Sequence, residues 1–241
     1  MARRDAARIA KPTIAEVLEQ FLAEQRPRVA ARRFGRYEYV IELLQHSLNG
    51  SAYQSLDKTE SALFDRLFDA TGAEHRDFCQ VFGPDHILPN VREFLGYFMV
   101  RKVIAGKETR RAAGVVTKKL ARWLAEKGYA TPEDAAGGME RGGAAARDLP
   151  KAEELASLLR EFAEDQERGD EDDEIEDHFT LTRVEPGKLW LEGMLDGRKV
   201  GPVTVPAEIS RRCRLGWSIS GAVGRVGKRW RLVEAWNVYP E

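Results

Sequence analysis

The sequence predicts two small domains, a helical one followed by one built of β-strands, and 241 residues suffice for both. Helix caps and apolar residues at helical spacing fill most of the first 160 residues. From His178 onward, alternating residues and turn signals indicate about five short strands. So many strands in so little chain favour a small closed β-barrel, SH3-like or OB-like, because closure hides the strand edges.

The first helices are predicted from caps and breakers. Thr13 and Glu16 form a capping box, and Pro27 ends the helix that follows at or near Arg26. Periodic apolar residues and breakers place further helices over about 28–48 and 59–71, from Pro89 to before Gly106, and over about 108–127.

The glycine-rich segment that follows is predicted to be flexible. Residues 135–148 contain two Gly-Gly pairs, and glycine is a poor helix former. One helix is expected over about 150–164, and residues 165–177 are expected to be a solvated acidic linker. The predicted domains are therefore a helical domain, 1–130, and a barrel, 178–241, joined by a linker, 131–177.

The strands are placed by alternation and by one strong turn. Asp196-Gly197 is a signal for a hairpin between two strands. The other strands are expected around residues 179–182, 189–191, 203–205, 217–219 and 230–239.

The net charge of −1 hides a strong segregation. Residues 1–150 contain 24 basic and 20 acidic side chains, residues 151–177 contain 3 and 13, and residues 178–241 contain 11 and 6. Two mildly basic modules thus flank an acidic strip. A basic balance in a folded module permits contact with nucleic acid.

Composition argues against several functional classes. Two isolated cysteines, Cys79 and Cys213, form neither a disulfide framework nor a zinc site, and no His and Cys set has metal-ligand spacing. No apolar run is long enough to span a bilayer, and no signal peptide is evident. We expect a cytoplasmic protein without metal, cofactor, membrane contact or an evident small-molecule substrate.

Three segments resemble the core-binding domain of tyrosine recombinases and phage integrases, the SAM-like helical domain that precedes their catalytic domain. They are the opening helix TIAEVLEQFL (13–22), the helix VVTKKLARWLAEKG (115–128) and the segment LPKAEELASLL (149–159). The resemblance covers roughly residues 10–160. It implies a helical fold that clamps DNA.

The catalytic domain of that family has no counterpart in this sequence. The family cleaves DNA with an Arg, a His-x-x-Arg pair and a Tyr nucleophile, whereas none of the four histidines here has Arg three positions later. Where the catalytic half would begin, the chain enters its acidic strip. The resemblance therefore implies DNA clamping without recombination, and we predict that the chain is not an enzyme.

The predicted DNA-binding residues are basic positions in two helices. In the fifth predicted helix, spacings of 4, 7 and 4 keep four basic residues on one face, within steps of roughly 40°. Such a face suits contact with phosphates, although an ordinary solvated surface has the same pattern. The predicted set is Arg32, Arg33, Arg36, Lys107, Arg110, Arg111, Lys118, Lys119 and Arg122.

The barrel offers a second, weaker set, because aromatic side chains among basic ones can stack bases and bind phosphates, and can equally form a core. Its members are Trp190, Arg225, Lys228 and Arg229. The sequence thus predicts a non-catalytic DNA-binding accessory protein. The alternatives are a protein-interaction module, with the bundle and Trp190 or Met194 as contacts, and RNA binding through the barrel.

Overall fold

The computed structural model describes residues 8–166 and 173–240. Two compact units make up the chain. The helical unit comprises Met1–Phe98 and Arg111–Ala146, and the sheet unit comprises Met99–Arg110 and Arg147–Glu241.

The described residues form seven α-helices and then five strands, with an eighth helix between the third and fourth strands. This confirms the predicted order of helices followed by a sheet. The helices are α1 Ile14–Gln25, α2 Ala31–Ser51, α3 Lys58–Phe68, α4 Phe78–Val81, α5 Val91–Glu93, α6 Lys107–Glu126, α7 Pro132–Glu164 and α8 Ala207–Arg212. A π-helix, Phe94–Lys102, follows α5 directly. The strands are β1 Asp173–Glu185, β2 Lys188–Gly193, β3 Lys199–Thr204, β4 Ser218–Val226 and β5 Arg229–Tyr239.

Helix α1 begins at the predicted capping box. The Thr13 hydroxyl accepts a hydrogen bond from the Glu16 backbone N–H, and the Glu16 carboxylate accepts one from the Thr13 backbone N–H at 2.8 Å. Both bonds satisfy donors that a helix start would otherwise leave unpaired. The buried face of α1 then brings Phe21 against the rings of Tyr37 and Trp123. This aromatic cluster packs α1, α2 and α6 together in the helical unit.

The prediction that residues 135–148 are flexible is wrong, because they belong to the 33-residue helix α7. Glycines allow α7 to cross α6 at backbone contact. A Cβ on Gly114 would lie 2.2 Å from the Ala146 backbone nitrogen, and one on Gly142 would lie 2.6 Å from that of Lys118. The packing gained at this crossing outweighs the helix propensity that glycine lacks.

The five strands pair in the closed order β1-β2-β3-β5-β4, with β4 returning to β1. The pairs are antiparallel except for β3 and β5, which run parallel and pair only at Val203 and Trp230. Asp196-Gly197 lies in the turn between β2 and β3, as predicted, with Gly197 at a φ of +69°. An SH3-like or OB-like type for this closed sheet stays a prediction.

The prediction that residues 131–177 form a linker is also wrong for the acidic residues at its C-terminal end. Residues 173–177 open β1 and pair with β4, and residues 167–172 lie outside the described part of the chain. The inward positions alternate, since Ile175 packs against the core and Asp177 is buried. The Asp177 carboxylate accepts a hydrogen bond from the Leu195 backbone N–H at 3.0 Å. Because the segment is so acidic, its alternation of inward and outward side chains, which is typical of a strand, is difficult to recognise in the sequence.

The second half of α7 is part of the core of the sheet unit. Leu155 and Leu159 are fully buried among side chains of the sheet, including Phe179 and Leu191. The guanidinium of Arg160 donates a hydrogen bond to the backbone carbonyl of Trp236 in β5, at 2.9 Å. The predicted helix over residues 150–164 is therefore real, but it packs on the sheet and does not belong to a linker.

We expect Gly142→Ala to destabilise the fold by about 1–3 kcal/mol, because the added Cβ would overlap backbone atoms of α6. Gly137→Ala, in the same helix, should change stability little or raise it by up to about 1 kcal/mol through helix propensity. Its Cβ would meet only the mobile end of Arg141, at 3.3 Å. Urea unfolding measures both variants. Equal midpoints would contradict the close crossing.

Candidate nucleic-acid interface

Three basic side chains form an exposed row on α6, which we call the α6 basic face: Arg111, Lys118 and Arg122. All three are in the helical unit. In residues 8–166 and 173–240, none of them forms an ion pair. Their charges are therefore available to an anionic partner.

The opposite side of α6 is anchored in the core of the helical unit. Val116, Leu120 and Leu124 are buried. The indole N–H of Trp123 donates a hydrogen bond to the Glu24 carboxylate at 3.0 Å, and Lys127 pairs with the same carboxylate at 2.6 Å. Hydrogen bonds from Lys127 and Trp123 lower the pKa of Glu24. These contacts fix which side of α6 faces outward.

Arg110 was predicted to bind DNA, and the structure corrects this assignment. Only 4% of the residue is exposed. Its guanidinium pairs with Glu153 and donates hydrogen bonds to the backbone carbonyls of Met99, Val103 and Ala105. Burial lowers the pKa of Arg110, and the Glu153 carboxylate opposes that effect. Arg110 is a structural residue of the sheet unit.

Lys107 is exposed but already has an acidic partner. Its ammonium lies 2.9 Å from a carboxylate oxygen of Glu154 in α7. The other oxygen of Glu154 pairs with Arg212 at 3.2 Å. Lys107 therefore contributes less free charge than its exposure indicates.

The remaining predicted residues of the helical unit lie on α2 and α6. The Lys119 ammonium is 5.4 Å from the centroid of the Tyr37 ring, within the range of a cation–π contact. Tyr37 follows Arg36 in α2, and Arg36 is half-buried and already takes part in an interaction within the protein. Arg32 and Arg33, in the first turn of α2, are exposed. The structure thus brings Lys119 of α6 against Tyr37 of α2.

The predicted residues of the closed sheet separate into two places. Trp190 is half-buried, with the Arg183 guanidinium 4.6 Å from the centroid of a ring. Lys228 and Arg229 are exposed where β4 turns into β5. Beside them, Arg225 is half-buried with its guanidinium 5.6 Å from the Trp230 ring.

Trp230 is itself flanked by two arginines. Arg198 lies at the same distance of 5.6 Å from its ring as Arg225, and Arg198 also pairs with Asp173 of β1. Trp190 and Trp230 thus already contact cations, which makes these two rings less available to nucleic-acid bases.

Two further residues near the α6 basic face were missed. Val115 is an exposed apolar side chain between Arg111 and Lys118. Arg141 is exposed in α7 next to Gly142, whose backbone touches that of Lys118. The sequence placed Arg141 in a flexible segment, so only the crossing of α6 and α7 indicates its position.

The described residues give little indication of thiol chemistry, of metal binding or of a membrane-spanning helix. Burial raises the pKa of both thiols, Cys79 and Cys213, to about 12. No group of three or more His, Cys, Asp or Glu side chains in residues 8–166 and 173–240 is arranged to hold a metal ion. None of the helices described combines the length and apolar composition needed to cross a bilayer.

Comparisons with family models, with curated proteins and with solved structures gave no match to this chain. The likeness to integrase core-binding domains therefore stays a resemblance of the sequence segments alone.

We expect Arg110→Ala to destabilise the protein by about 1.5–3 kcal/mol, since it removes charge-assisted hydrogen bonds from a buried site. The neighbouring Arg111→Ala should change stability by less than about 0.5 kcal/mol, because Arg111 is exposed and forms no ion pair within the described residues. Chemical unfolding of both variants measures the difference. A cost for Arg111→Ala as large as that for Arg110→Ala would refute the assignment of the two arginines to different roles.

Proposed function

We propose that the chain is a non-catalytic DNA-binding accessory protein. In this proposal, the α6 basic face of the helical unit contacts the DNA phosphates. The observation that carries it is the exposure of Arg111, Lys118 and Arg122 on one anchored helix, without acidic partners among the described residues. Arginine forks and lysine ammonium groups both bind phosphate oxygens.

The resemblance to integrase core-binding domains supports the same proposal. It suggests a SAM-like fold for the helical unit and a clamping role on DNA, without strand cleavage. Arg32 and Arg33 would extend the contact, because α2 meets α6 at Tyr37 and Lys119. Phosphate contacts position a protein on DNA but carry no sequence information themselves. We therefore expect binding through this face to depend little on DNA sequence.

A protein-interaction module is the second candidate. Met194 and Leu195, adjacent in the turn between β2 and β3, are 64% and 84% exposed. Exposed apolar side chains of this kind mark contact surfaces when they lie together. RNA binding through Trp190, Arg225, Lys228 and Arg229 is a third candidate, and the existing cation–π contacts of the two half-buried tryptophans, Trp190 and Trp230, weaken it.

Replacing Arg111, Lys118 and Arg122 with Ala should reduce the salt dependence of DNA binding. Each phosphate that a basic side chain neutralises releases counterions and adds a slope of about −0.9 to the plot of log K against log salt. We expect the slope to shrink by about 2–3 units in the triple variant. Fluorescence anisotropy with a short DNA duplex at several salt concentrations measures it.

The matched control replaces Lys58, Arg66 and Arg92 with Ala. These residues are also two arginines and one lysine, all exposed in the helical unit and without an acidic partner among the described residues. The control should keep the wild-type slope. If both triple variants lose slope and affinity equally, the α6 basic face is not a site. Weak binding by every form would favour the protein-interaction candidate.

A further inference from the structure

A concave pocket of about 270 Å³ lies in the sheet unit, where α8 ends near α7. Its lining is mostly basic, and consists of Lys151, Glu154, Arg211, Arg212, Cys213 and Arg214. None of these residues belongs to the α6 basic face. Concave sites with a few convergent charged groups are typical of small-ligand binding.

The acidic side chains at this pocket are already neutralised. Glu154 accepts hydrogen bonds from Lys107 at 2.9 Å and from Arg212 at 3.2 Å. These bonds lower the pKa of Glu154, so the group is a carboxylate at neutral pH. Arg212 also pairs with Glu208 at 3.1 Å. Both carboxylates therefore already have a basic partner.

The other basic side chains of the pocket have weak acidic partners or none within the described residues. Arg211 and Arg214 are exposed, and neither forms an ion pair in the described part of the chain. The Arg214 guanidinium lies 5.8 Å from the Trp217 ring, a contact that restricts its position. Among the described residues, Lys151 pairs with Asp148, at a long distance of 3.6 Å. The pocket therefore has an excess of positive charge with free hydrogen-bond donors.

We propose that this pocket binds a phosphate group, held by Arg211 and Arg214 with Lys151 beside them. Two guanidinium forks match the oxygens of a phosphate geometrically, and such charge-assisted bonds are the strong ones. The phosphate comes either from a small phosphate ester or from a nucleic-acid backbone. Cys213 remains a protonated thiol at neutral pH because burial raises its pKa to about 12.

Titration of the full chain with pyrophosphate, at constant ionic strength, tests the pocket by isothermal calorimetry. We expect saturable binding that Arg211→Ala combined with Arg214→Ala weakens at least tenfold. The control variant combines Lys188→Ala with Lys199→Ala, which removes the same charge from exposed positions of the sheet unit. It should change the affinity less than twofold. Thermal unfolding of both double variants checks that the fold persists.

A second arm measures affinity for a short DNA duplex and so identifies the source of the phosphate. If pyrophosphate binding is saturable and the Arg211 and Arg214 variant keeps its DNA affinity, the natural ligand of the pocket is a small phosphate ester. A loss of DNA affinity specific to the Arg211 and Arg214 variant assigns the nucleic-acid backbone. No saturable pyrophosphate binding, together with equal DNA affinities of the two double variants, would overturn the proposal. The variant of the α6 basic face should bind pyrophosphate normally, which separates this proposal from the proposed function.

Discussion

The contact between α6 and α7 in the helical unit is the constraint on which the candidate interface depends. At Gly114 and Gly142, the two helices touch backbone to backbone, and no side chain larger than hydrogen fits between them. Close approach of this kind fixes the rotation of each helix, because side chains cannot reposition to absorb a change. The core contacts of Trp123 fix α6 from its other side. The direction of the α6 basic face follows from these two contacts.

The structure distinguishes basic side chains that stabilise the fold from those that remain available to bind an anionic partner. Arg110 and Arg111 are neighbours in the sequence, yet one is buried among carbonyl groups and a carboxylate, while the other is exposed. Net charge does not reveal this difference, since both residues count equally. The same separation applies in the sheet unit, where Arg212 is paired and Arg211 has no ion pair within the described residues. Binding hypotheses therefore rest on a few side chains and not on the overall charge.

Local signals in the sequence predicted much of the fold. The capping box at Thr13 and the apolar periodicity of α6 are short-range features, and the structure has both. The wrong predictions concern segments whose structure depends on residues far away in the sequence. The glycines of α7 reduce local helix propensity, and their benefit appears only where α6 crosses them. The acidic residues that open β1 resemble a linker until β4 pairs with them. Arg110 could not be recognised as buried because its carboxylate partner, Glu153, comes from α7.

Site-specific cross-linking from Val115 tests the central claim most directly, because Val115 lies in the middle of the α6 basic face. A photoreactive group attached to a Val115→Cys variant should cross-link to a bound DNA duplex. The native thiols, with pKa values of about 12, should react far more slowly with the label than the exposed new cysteine. The control places the same group at Ala62, an exposed position of α3. We expect cross-links from position 115 and few from position 62, and equal yields from the two would contradict the account.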